Sequence, residues 1–354
     1  MMVPKLTVLM PVYNAGKFLA EAIDSILGQT FEEFEFIIID DGSTDNSVAI
    51  IHSYDDSRIR LYLNEVNMGI SATLNKGIGL ARTSLIARMD ADDNSYPNRL
   101  QVQYTFMLDN PDCALVSSMV KVVGEDGRFI RQDKMRSEHI YYNLTFICWL
   151  YHPTVMYRKE AVQEVGLYAA DYSEDFELFW QLTRKYRFYN LPEVLLDYRV
   201  TDQSLHQVLK KEEYESAQQQ QVLRNLRYFA GSYYTIPSSF IQCYRHNFEP
   251  LIAEQNLGLW ISCIRELDYI TQCILKKYNP NLEAESVKLA ARYKREFIIK
   301  ALAQHLSLHS QVWFRIRVEP IISLAGSIKS LLKSKLRCIT VLRFGKSQTA
   351  RQLK

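Results

Sequence analysis

A pair of carboxylates one residue apart, Asp90 and Asp92, is the part of this 354-residue chain with the clearest chemical potential. Asp90, Asp92 and Asp93 follow the apolar run 85–89, which is typical of a buried strand, so they lie at the carboxyl end of a strand. Hard oxygen ligands suit Mg²⁺ or Mn²⁺, and these ions complete their coordination with substrate phosphates and water. The pattern therefore predicts a divalent-cation site that faces a diphosphate, although an Asp-x-Asp by itself is also typical of an acidic turn.

The first hundred residues alternate apolar, strand-like runs with helical patterns. The runs are Leu6–Val12, Phe34–Ile39, Ile59–Leu63 and Leu85–Met89. Continuous apolar strands that alternate with helices predict an α/β fold, in which helices cover both faces of a mostly parallel sheet. Ligands bind such sheets at the carboxyl ends of the strands, where Asn14, Asp41, Asn67 and Asp92 all fall. The sequence therefore predicts one site at that edge of the sheet.

The pattern changes after residue 112. Cys113–Val123 and Phe129–Ile130 flank the turn Gly124-Glu-Asp-Gly127, which predicts a hairpin, and Val194–Val200 is predicted to be the last strand. Long helical stretches are then predicted at 205–230, 238–277, 282–308 and 312–342. We therefore expect an α/β domain over residues 1–202 and a helical C-terminal region over residues 203–354.

Six motifs occur in a characteristic order before residue 181. They are LTVLMPVYN (6–14), QTF (29–31), IIDDGSTD (38–45), NMG (67–69), MDADD (89–93) and YSEDFELFW (172–180). With this set, residues 4–200 resemble the family 2 glycosyltransferases, which have the GT-A fold. The resemblance implies an inverting enzyme that uses a nucleotide sugar as donor and a divalent cation, Mn²⁺ or Mg²⁺, as cofactor.

For the nucleotide base, the resemblance points to the loop after the first strand and to the second Asp of Asp-Asp-Gly. In this chain these are Pro11, Tyr13, Asn14 and Asp41. A carboxylate can accept a hydrogen bond from the imide N–H of uracil, so UDP is the expected nucleotide. The alternative is that residues 40–45 form only a turn and a helix cap, a role that suits Asp45.

Two further residues correspond to family positions that reach the nucleotide or its phosphates. These are Asn67 and Lys76, and Lys76 lies about two helical turns after Gly69. A solvated surface lysine is the alternative for Lys76. Among the carboxylates, Asp92 is the expected metal ligand, and Asp90 supports it through water or the donor sugar. Asp93 is expected to cap the turn before Tyr96.

The expected catalytic base is Asp175, because transfer to a hydroxyl requires removal of its proton by a carboxylate within hydrogen-bond reach. Glu174 would orient the acceptor or Asp175. Both acids begin a predicted helix, where negative charge is common for electrostatic reasons alone. His152 matches a family position near the donor or acceptor, and a hydrogen-bonded structural histidine is the alternative. The aromatic segment 141–151 predicts either a sugar-stacking wall or ordinary core.

Two absences limit the expected reaction. No Gln-x-x-Arg-Trp motif, which processive synthases of the family carry, follows Asp175, so we expect one sugar to be added per encounter. No Gly-rich phosphate loop follows the first strand, which argues against a nucleotidyltransferase or a Rossmann-type sugar-nucleotide-modifying enzyme. A non-catalytic nucleotide-sugar-binding protein is a third class, and the acids at 41, 90, 92 and 175 argue against it.

Charge is distributed unevenly along the chain. Residues 1–200 hold 19 Lys and Arg against 28 Asp and Glu, whereas residues 201–354 hold 23 against 12. The segment 311–354 has ten basic residues and one acid between apolar blocks, which is typical of a helix that rests on an anionic membrane. We expect a glycan or lipid-linked acceptor and a cytoplasmic, peripheral protein without nucleic-acid partners; a helical tail packed on the first domain is the alternative.

Overall fold

The computed structural model describes residues 3–133, 136–201 and 211–318. The expected domain boundary at 202/203 and the tail from residue 319 onwards lie outside these ranges. The described chain divides into two compact units, Met1–Thr235 with Cys273–Ala290 and Ile236–Gln272 with Ala291–Lys354. None of the helices in the described ranges is long and apolar enough to cross a bilayer.

The first unit contains all the strands of the described residues. The strands are β1 Leu6–Val12, β2 Phe34–Asp40, β3 Ile59–Leu63, β4 Leu85–Arg88, β5 Asn94–Ser95, β6 Cys113–Val123, β7 Phe129–Arg131, β8 Met156–Arg158 and β9 Arg187–Arg199. The α-helices are α1 Leu19–Leu27, α2 Ser47–His52, α3 Ile70–Leu80, α4 Arg99–Asp109, α5 Ile140–Asn143, α6 Lys159–Glu164, α7 Glu174–Thr183, α8 Lys211–Ala230, α9 Ser238–Tyr244, α10 Glu249–Ala253, α11 Leu257–Lys276, α12 Ala284–Ala303 and α13 Leu308–Val318.

The strands form one sheet in the order β3-β2-β1-β4-β8-β6-β9-β5, with β7 paired to β6. Strands β1, β2, β3, β4, β6 and β9 run in one direction, and the shorter β5, β7 and β8 run antiparallel to their neighbours. The prediction of a mostly parallel sheet is confirmed, and so is the predicted hairpin of β6 and β7. Consequently the carboxyl ends of β2, β1 and β4 lie side by side at one edge.

Helices cover both faces of the sheet around β1. Val8 and Met10 belong to a buried cluster that also contains Ile23 of α1 and Leu100 of α4. On the other face, the side chain of Leu9 lies so close to Gly77 of α3 that a Cβ there would come within 2.2 Å of it. All seven side chains of β1 are buried, which explains why six of them are apolar. The polar member, Thr7, donates from Oγ1 to Glu35 Oε1 at 2.7 Å.

The second unit is helical and has its own core. The Trp260 side chain donates from Nε1 to the Leu251 carbonyl at 2.8 Å and lies edge-on to the Phe314 ring, at 6.3 Å between centroids. The prediction of one helical stretch over 238–277 is wrong, because α9, α10 and α11 replace it. His246 and Gln255 have positive φ values, 71° and 47°, and these left-handed residues break the helix.

Candidate active site

The three carboxylates after β4 form a tight cluster. Carboxylate oxygens of Asp90, Asp92 and Asp93 all lie within 4.8 Å of one another. Burial, together with the negative charge of Asp90, raises the pKa of Asp92 to about 7. Burial and the charges of Asp92 and Asp90 raise the pKa of Asp93 well above its usual range. Repulsion of this kind is relieved by a cation among the carboxylates, and their oxygen donors fit Mg²⁺ or Mn²⁺.

One buried carboxylate oxygen of this cluster has no hydrogen-bond donor among the described residues. Asp93 is almost fully buried, and its Oδ2 accepts no hydrogen bond from any described residue. A buried carboxylate oxygen without a donor is unfavourable, so the position suits a ligand atom of a bound ion. Asp93 Oδ1 accepts from the backbone N–H of Arg199 at 2.8 Å. The expectation that Asp93 caps the turn before Tyr96 is therefore wrong.

Two buried arginines hold the cluster in place, and sequence reasoning assigned a role to neither. Arg88 is the last residue of β4, and its Nη1 pairs with Asp90 Oδ2 while the side chain is almost fully buried. Burial disfavours the charged guanidinium, but the Asp90 carboxylate outweighs that effect and raises the pKa of Arg88. Arg88 therefore stays charged and compensates one of the three carboxylates.

The second arginine, Arg199, lies in the last strand of the sheet. Arg199 closes β9 and donates from Nε to the Asp92 carbonyl at 2.8 Å. Its Nη2 donates to Glu21 Oε2 at 2.9 Å, and its guanidinium lies 4.4 Å from the centroid of the Phe18 ring. Arg199 thus ties the acidic loop to α1, and no local pattern in the sequence signals this contact across 107 residues.

Asp41, at the carboxyl end of β2, is surrounded by donors instead of acids. Its Oδ1 accepts from Asn64 Nδ2 at 2.6 Å and from the Met68 N–H at 3.0 Å, and its Oδ2 accepts from the Gly69 N–H at 2.9 Å. The turn that follows Asp41 brings Gly42, with φ +76°, so close to the backbone of Val66 that an added Cβ would lie 2.8 Å from it. The carboxylate therefore fixes the loop 64–69, and its Oδ2 retains one lone pair for a further donor.

The remaining predicted base-binding residues surround the end of β1. Pro11 is buried in β1 opposite Ile39 of β2, and Tyr13 is half exposed just beyond the strand. Asn14 has φ +49°, and its Oδ1 accepts from the Thr44 N–H at 2.8 Å. Asn14 thus holds the turn after β2 against the turn after β1, so the backbone of both turns is fixed beside the exposed Tyr13 ring.

Asn67 and Lys76 lie on the same loop-and-helix segment. Asn67 is exposed, and its Oδ1 accepts from the Gly69 N–H at 3.1 Å. Lys76 Nζ donates to Asn64 Oδ1 at 2.5 Å, which joins it through Asn64 to Asp41. Asn64 was missed, although it directly follows β3 and so occupies the same strand edge as the other site residues. Lys76 is therefore a bound and partly buried lysine of this network.

Asp175 and Glu174 begin α7, as predicted. The residue before them, Ser173, is left-handed with φ 55° and ψ 40°, so the chain turns sharply into the helix. Asp175 is partly buried, and its Oδ1 accepts from the Phe176 N–H at 2.7 Å. Burial raises the pKa of Tyr214 on α8, and the charges of Glu174, Asp175 and Asp90 add to this effect. Tyr214 therefore lies near both the helix start and the acidic cluster.

His152 is buried between these groups. Its Nε2 lies 2.7 Å from the Tyr168 hydroxyl, and its Nδ1 lies 3.6 Å from Glu174 Oε1. Burial and the nearby Arg88 charge lower the pKa of His152 to about 3, so the imidazole is neutral. His152 is therefore a buried, neutral histidine that is bonded to Tyr168 and lies beside Glu174.

The aromatic segment divides between the two interpretations. Tyr141, Tyr142 and Phe146 are buried, and the rings of Tyr142 and Phe146 pack at 5.2 Å between centroids. Tyr151 is bonded through its hydroxyl to Asp133. Trp149 is more than one-third exposed. Most of the segment is therefore core, and Trp149 is the member of the segment with the most ring surface available to a ligand.

Comparisons with known proteins agree with this geometry. The sequence model described as Glycosyl transferase family 2 matches residues 7–166. The O-antigen biosynthesis glycosyltransferase WbnJ of Escherichia coli is 35% identical over 207 residues, which cover 56% of this chain and 81% of WbnJ. An uncharacterized glycosyltransferase of Methanocaldococcus jannaschii is 30% identical over 65% of this chain and 83% of its own.

The solved structures provide the fold. The crystal structure of S. aureus TarS 1–349 in complex with UDP-GlcNAc superposes with a TM-score of 0.53 over 84% of this chain and 89% of the TarS 1–349 chain, at 17% identity. The likeness confirms the predicted GT-A fold. These relatives are glycosyltransferases, and the match to this chain covers most of the length of each. This chain is therefore a glycosyltransferase and belongs to glycosyltransferase family 2.

Proposed function

We propose that the enzyme transfers one sugar from a UDP-sugar to a hydroxyl of a glycan or lipid-linked acceptor, with inversion at the anomeric carbon. The acidic cluster of Asp90, Asp92 and Asp93, at the sheet edge where β2, β1 and β4 end, is the observation that carries this proposal. The UDP-GlcNAc complex of TarS supports a UDP-sugar donor. The O-antigen role of WbnJ supports a glycan acceptor.

The loops after β1 and β2 bind the nucleotide. Asp41 accepts the imide N–H of uracil with a lone pair that its three protein donors leave available. Tyr13, being half exposed, covers the base, while Pro11 and Asn14 set the backbone beside it. Asn67 offers its side-chain amide to the nucleotide, and Lys76 provides positive charge next to the phosphates.

The acidic loop holds the cation. Asp92 is the primary ligand, and Asp90 and the Oδ2 of Asp93 are the nearest further oxygens. A divalent cation held there neutralises charge on the departing diphosphate. Arg88 and Arg199 keep the carboxylates oriented, because each binds the loop from a buried position.

Asp175 acts as the general base. It takes the proton of the acceptor hydroxyl as the new O–C1 bond forms and the C1–O bond to the diphosphate breaks. A single displacement of this kind inverts the anomeric carbon. Glu174 orients Asp175 and the acceptor, and neutral His152 holds Glu174 from the other side.

The test is Asp175→Asn. Loss of a general base lowers turnover about 10²-fold or more while UDP affinity by calorimetry stays near that of the wild type. Asp109→Asn, an exposed acid at the end of α4, is the matched control and keeps full activity. Turnover of Asp175→Asn within threefold of the wild type would remove Asp175 from the mechanism.

The basic C-terminal tail is proposed to bind an anionic membrane and so bring the enzyme to a membrane-bound acceptor. Phe314 of α13 is fully buried in the second unit, so a truncation meant to remove the basic tail has to begin after residue 318. Residues 319–354 hold eight Lys and Arg and one Glu. Each Lys or Arg contributes up to about 1 kcal/mol to binding at an anionic membrane surface. Their removal releases the protein from anionic vesicles in co-sedimentation and leaves UDP affinity unchanged. Binding that survives truncation, or that is insensitive to salt, would contradict the membrane role.

A further inference from the structure

A cleft opens at the edge of the sheet opposite the acidic cluster. Cys113 begins β6 and Arg187 begins β9, and both strands run in the same direction as β4, so these residues lie at the amino ends of their strands. The cleft has a volume of about 660 Å³, within the range of about 300–1,000 Å³ that is typical of ligand pockets. Its walls, all in the first unit, include Asp112, Arg158, Lys185, Arg187, Tyr278 and Pro280.

The cleft is separate from the proposed reaction centre. Arg158 pairs with Leu85 at the start of β4, and Asp90 follows Leu85 by five residues. At about 3.3 Å per residue, the two sites are on the order of 15 Å apart. The walls contain none of the residues to which we assign nucleotide binding, cation binding or catalysis. The cleft can therefore hold a ligand of its own while the donor is bound.

Arg158 is a partly buried cation without a counter-charge. Its Nε donates to the Cys113 carbonyl at 2.9 Å, and its Nη2 donates to the Met107 and Asn110 carbonyls at 2.7 and 3.2 Å. These bonds fix the guanidinium against the turn between α4 and β6. Among the residues that the structure describes, no acid pairs with Arg158, and its Nη1 donates to no acceptor. A guanidinium that is held in place with a free N–H group is a strong donor to phosphate or carboxylate oxygens.

Two further cations line the cleft, and both have only exposed partners. Arg187 Nε lies 3.2 Å from Asp112 Oδ2, and both side chains are more than half exposed. Lys185 Nζ pairs with Glu164 Oε1 at 3.0 Å, also in contact with solvent. Ion pairs that are this exposed contribute little to stability, so an anionic ligand replaces either acid readily. Of the charged groups in the walls, three are positive and one, Asp112, is negative, which favours an anion.

Tyr278 adds a flat, largely apolar surface next to these cations. Its side chain is 89% exposed, although the segment that carries it is bonded firmly to the rest of the first unit. Asn279 donates from Nδ2 to the Thr183 carbonyl at 2.8 Å, and Asn281 donates from Nδ2 to the Tyr186 carbonyl at 2.6 Å. An aromatic ring that is held in solvent on a fixed segment is suited to pack against the ring of a ligand.

We propose that this cleft is a second binding site, for a sugar that carries a phosphate or carboxylate group. The anionic group binds Nη1 of Arg158 and the guanidinium of Arg187, and the sugar ring packs on Tyr278. Phosphate and carboxylate present the same oxygen acceptors to a guanidinium, so both sources of charge fit this chemistry. A sugar ring has an apolar C–H face, which matches walls that combine cations with Tyr278 and Pro280. The site does not take part in the transfer reaction and does not rest on the proposed function.

Calorimetry with the full chain tests the proposal. Glucose 1-phosphate and glucuronate carry the two anionic groups, glucose has the ring without the charge, and inorganic phosphate has the charge without the ring. We expect at least one of the two anionic sugars to bind with a Kd below about 10 mM, inorganic phosphate to bind at least about fivefold more weakly, and glucose not to bind in this range. Saturation with UDP and Mn²⁺ leaves these affinities unchanged, because the donor site is elsewhere.

Substitutions within the cleft are expected to act in opposite directions. Arg187→Gln and Tyr278→Ala change exposed side chains and raise the Kd of the anionic sugar at least about fivefold, and Arg158→Gln raises it at least about tenfold. Asp112→Asn removes the acid that competes for Arg187 and lowers the Kd about two- to fivefold. A gain in affinity of this kind cannot come from misfolding, so it keeps the test decisive even if Arg158→Gln is destabilised.

Two matched controls lie outside the cleft. Arg128 Nε lies 3.2 Å from Asp126 Oδ2 in a similarly exposed pair, and the Tyr233 side chain is 97% exposed. Arg128→Gln and Tyr233→Ala therefore make the same chemical changes as Arg187→Gln and Tyr278→Ala without altering the walls. We expect both controls to bind the anionic sugar as the wild type does.

The proposal is overturned if neither anionic sugar binds the wild type at up to about 10 mM, if glucose binds as tightly as they do, or if the cleft variants bind like the controls. Competition by UDP would place the binding at the donor site and would equally reject the cleft. Each of these results leaves the assignment as a glycosyltransferase intact, because the walls of the cleft contain no residue of the proposed reaction centre.

Discussion

Asp41 and Asp92 follow β2 and β4, the two strands that flank β1, yet their surroundings are opposite. Asp41 receives three N–H donors from Asn64, Met68 and Gly69, so its charge is satisfied within the protein. Asp92 lies among two more carboxylates, with burial and repulsion raising its pKa to about 7. The same residue type at the same sheet edge is thus hydrogen-bonded by protein donors in one loop and crowded by like charges in the other. The two carboxylates differ because hydrogen-bond donors surround Asp41 and other carboxylates surround Asp92.

Asp92→Asn tests the acidic side of this comparison and has the largest expected effect. It removes the primary proposed ligand, so transfer falls at least about 10³-fold and Mn²⁺ no longer improves UDP affinity. In EDTA at pH 8 the variant is more stable than the wild type by about 1–3 kcal/mol, because a buried like charge is gone.

Calorimetry of UDP binding with Mn²⁺ and with EDTA, together with thermal unfolding, gives both readouts. Equal UDP affinity of the wild type under the two conditions would sink the cation hypothesis. A destabilised Asp92→Asn protein would show instead that its carboxylate is satisfied like that of Asp41.

Asp41→Asn tests the other side and is expected to act in the opposite direction on stability. The amide presents an NH₂ group to donors that need an acceptor, so the free energy of unfolding falls by about 2–4 kcal/mol. The loop 64–69 loosens, and UDP affinity falls with or without Mn²⁺. Urea denaturation measures the stability, with Asp109→Asn as the surface control. An unchanged urea midpoint would mean that the three donors are satisfied without Asp41.

His152 is expected to give a pH dependence of stability with the opposite sign to that of Asp92. Its native pKa of about 3 lies below the usual 6.5, so between these values the unfolded chain binds a proton that the native protein does not. Stability is therefore full above pH 6.5 and falls as the pH drops towards 3, by up to about 1.4 kcal/mol per unit.

Urea denaturation of the wild type and of His152→Gln from pH 7 to pH 4 checks this dependence. The substitution flattens the slope, because the titrating ring is gone. Identical slopes for the two proteins would place a charged histidine in the native state and contradict its neutral role beside Glu174.

The sequence by itself determined most of the strands, the order of the motifs and the edge of the sheet at which they meet. It did not predict β5, β8 or the first half of β9. β1, β3 and β6 have the bounds predicted from the sequence. For β1, whose residues are all buried, the reason is that a strand covered on both faces is largely apolar. The position of Asp41, Asp92 and Asp175 after strands or at a helix start also follows from local pattern. The sequence was less informative in the second unit, where the left-handed residues His246 and Gln255 break the helix predicted over 238–277.

Only the tertiary structure decided which carboxylates are satisfied and which are crowded. Arg199 reaches the Asp92 loop from 107 residues away, and Asn64 and Lys76 join Asp41 across a turn and a helix. Burial, which sets the pKa of Asp92 and of His152, depends on everything packed around a group and so leaves no local signal. A sequence therefore records where a charged group lies along a strand, and the fold supplies the donors, the neighbouring charges and the exclusion of water that determine its chemistry.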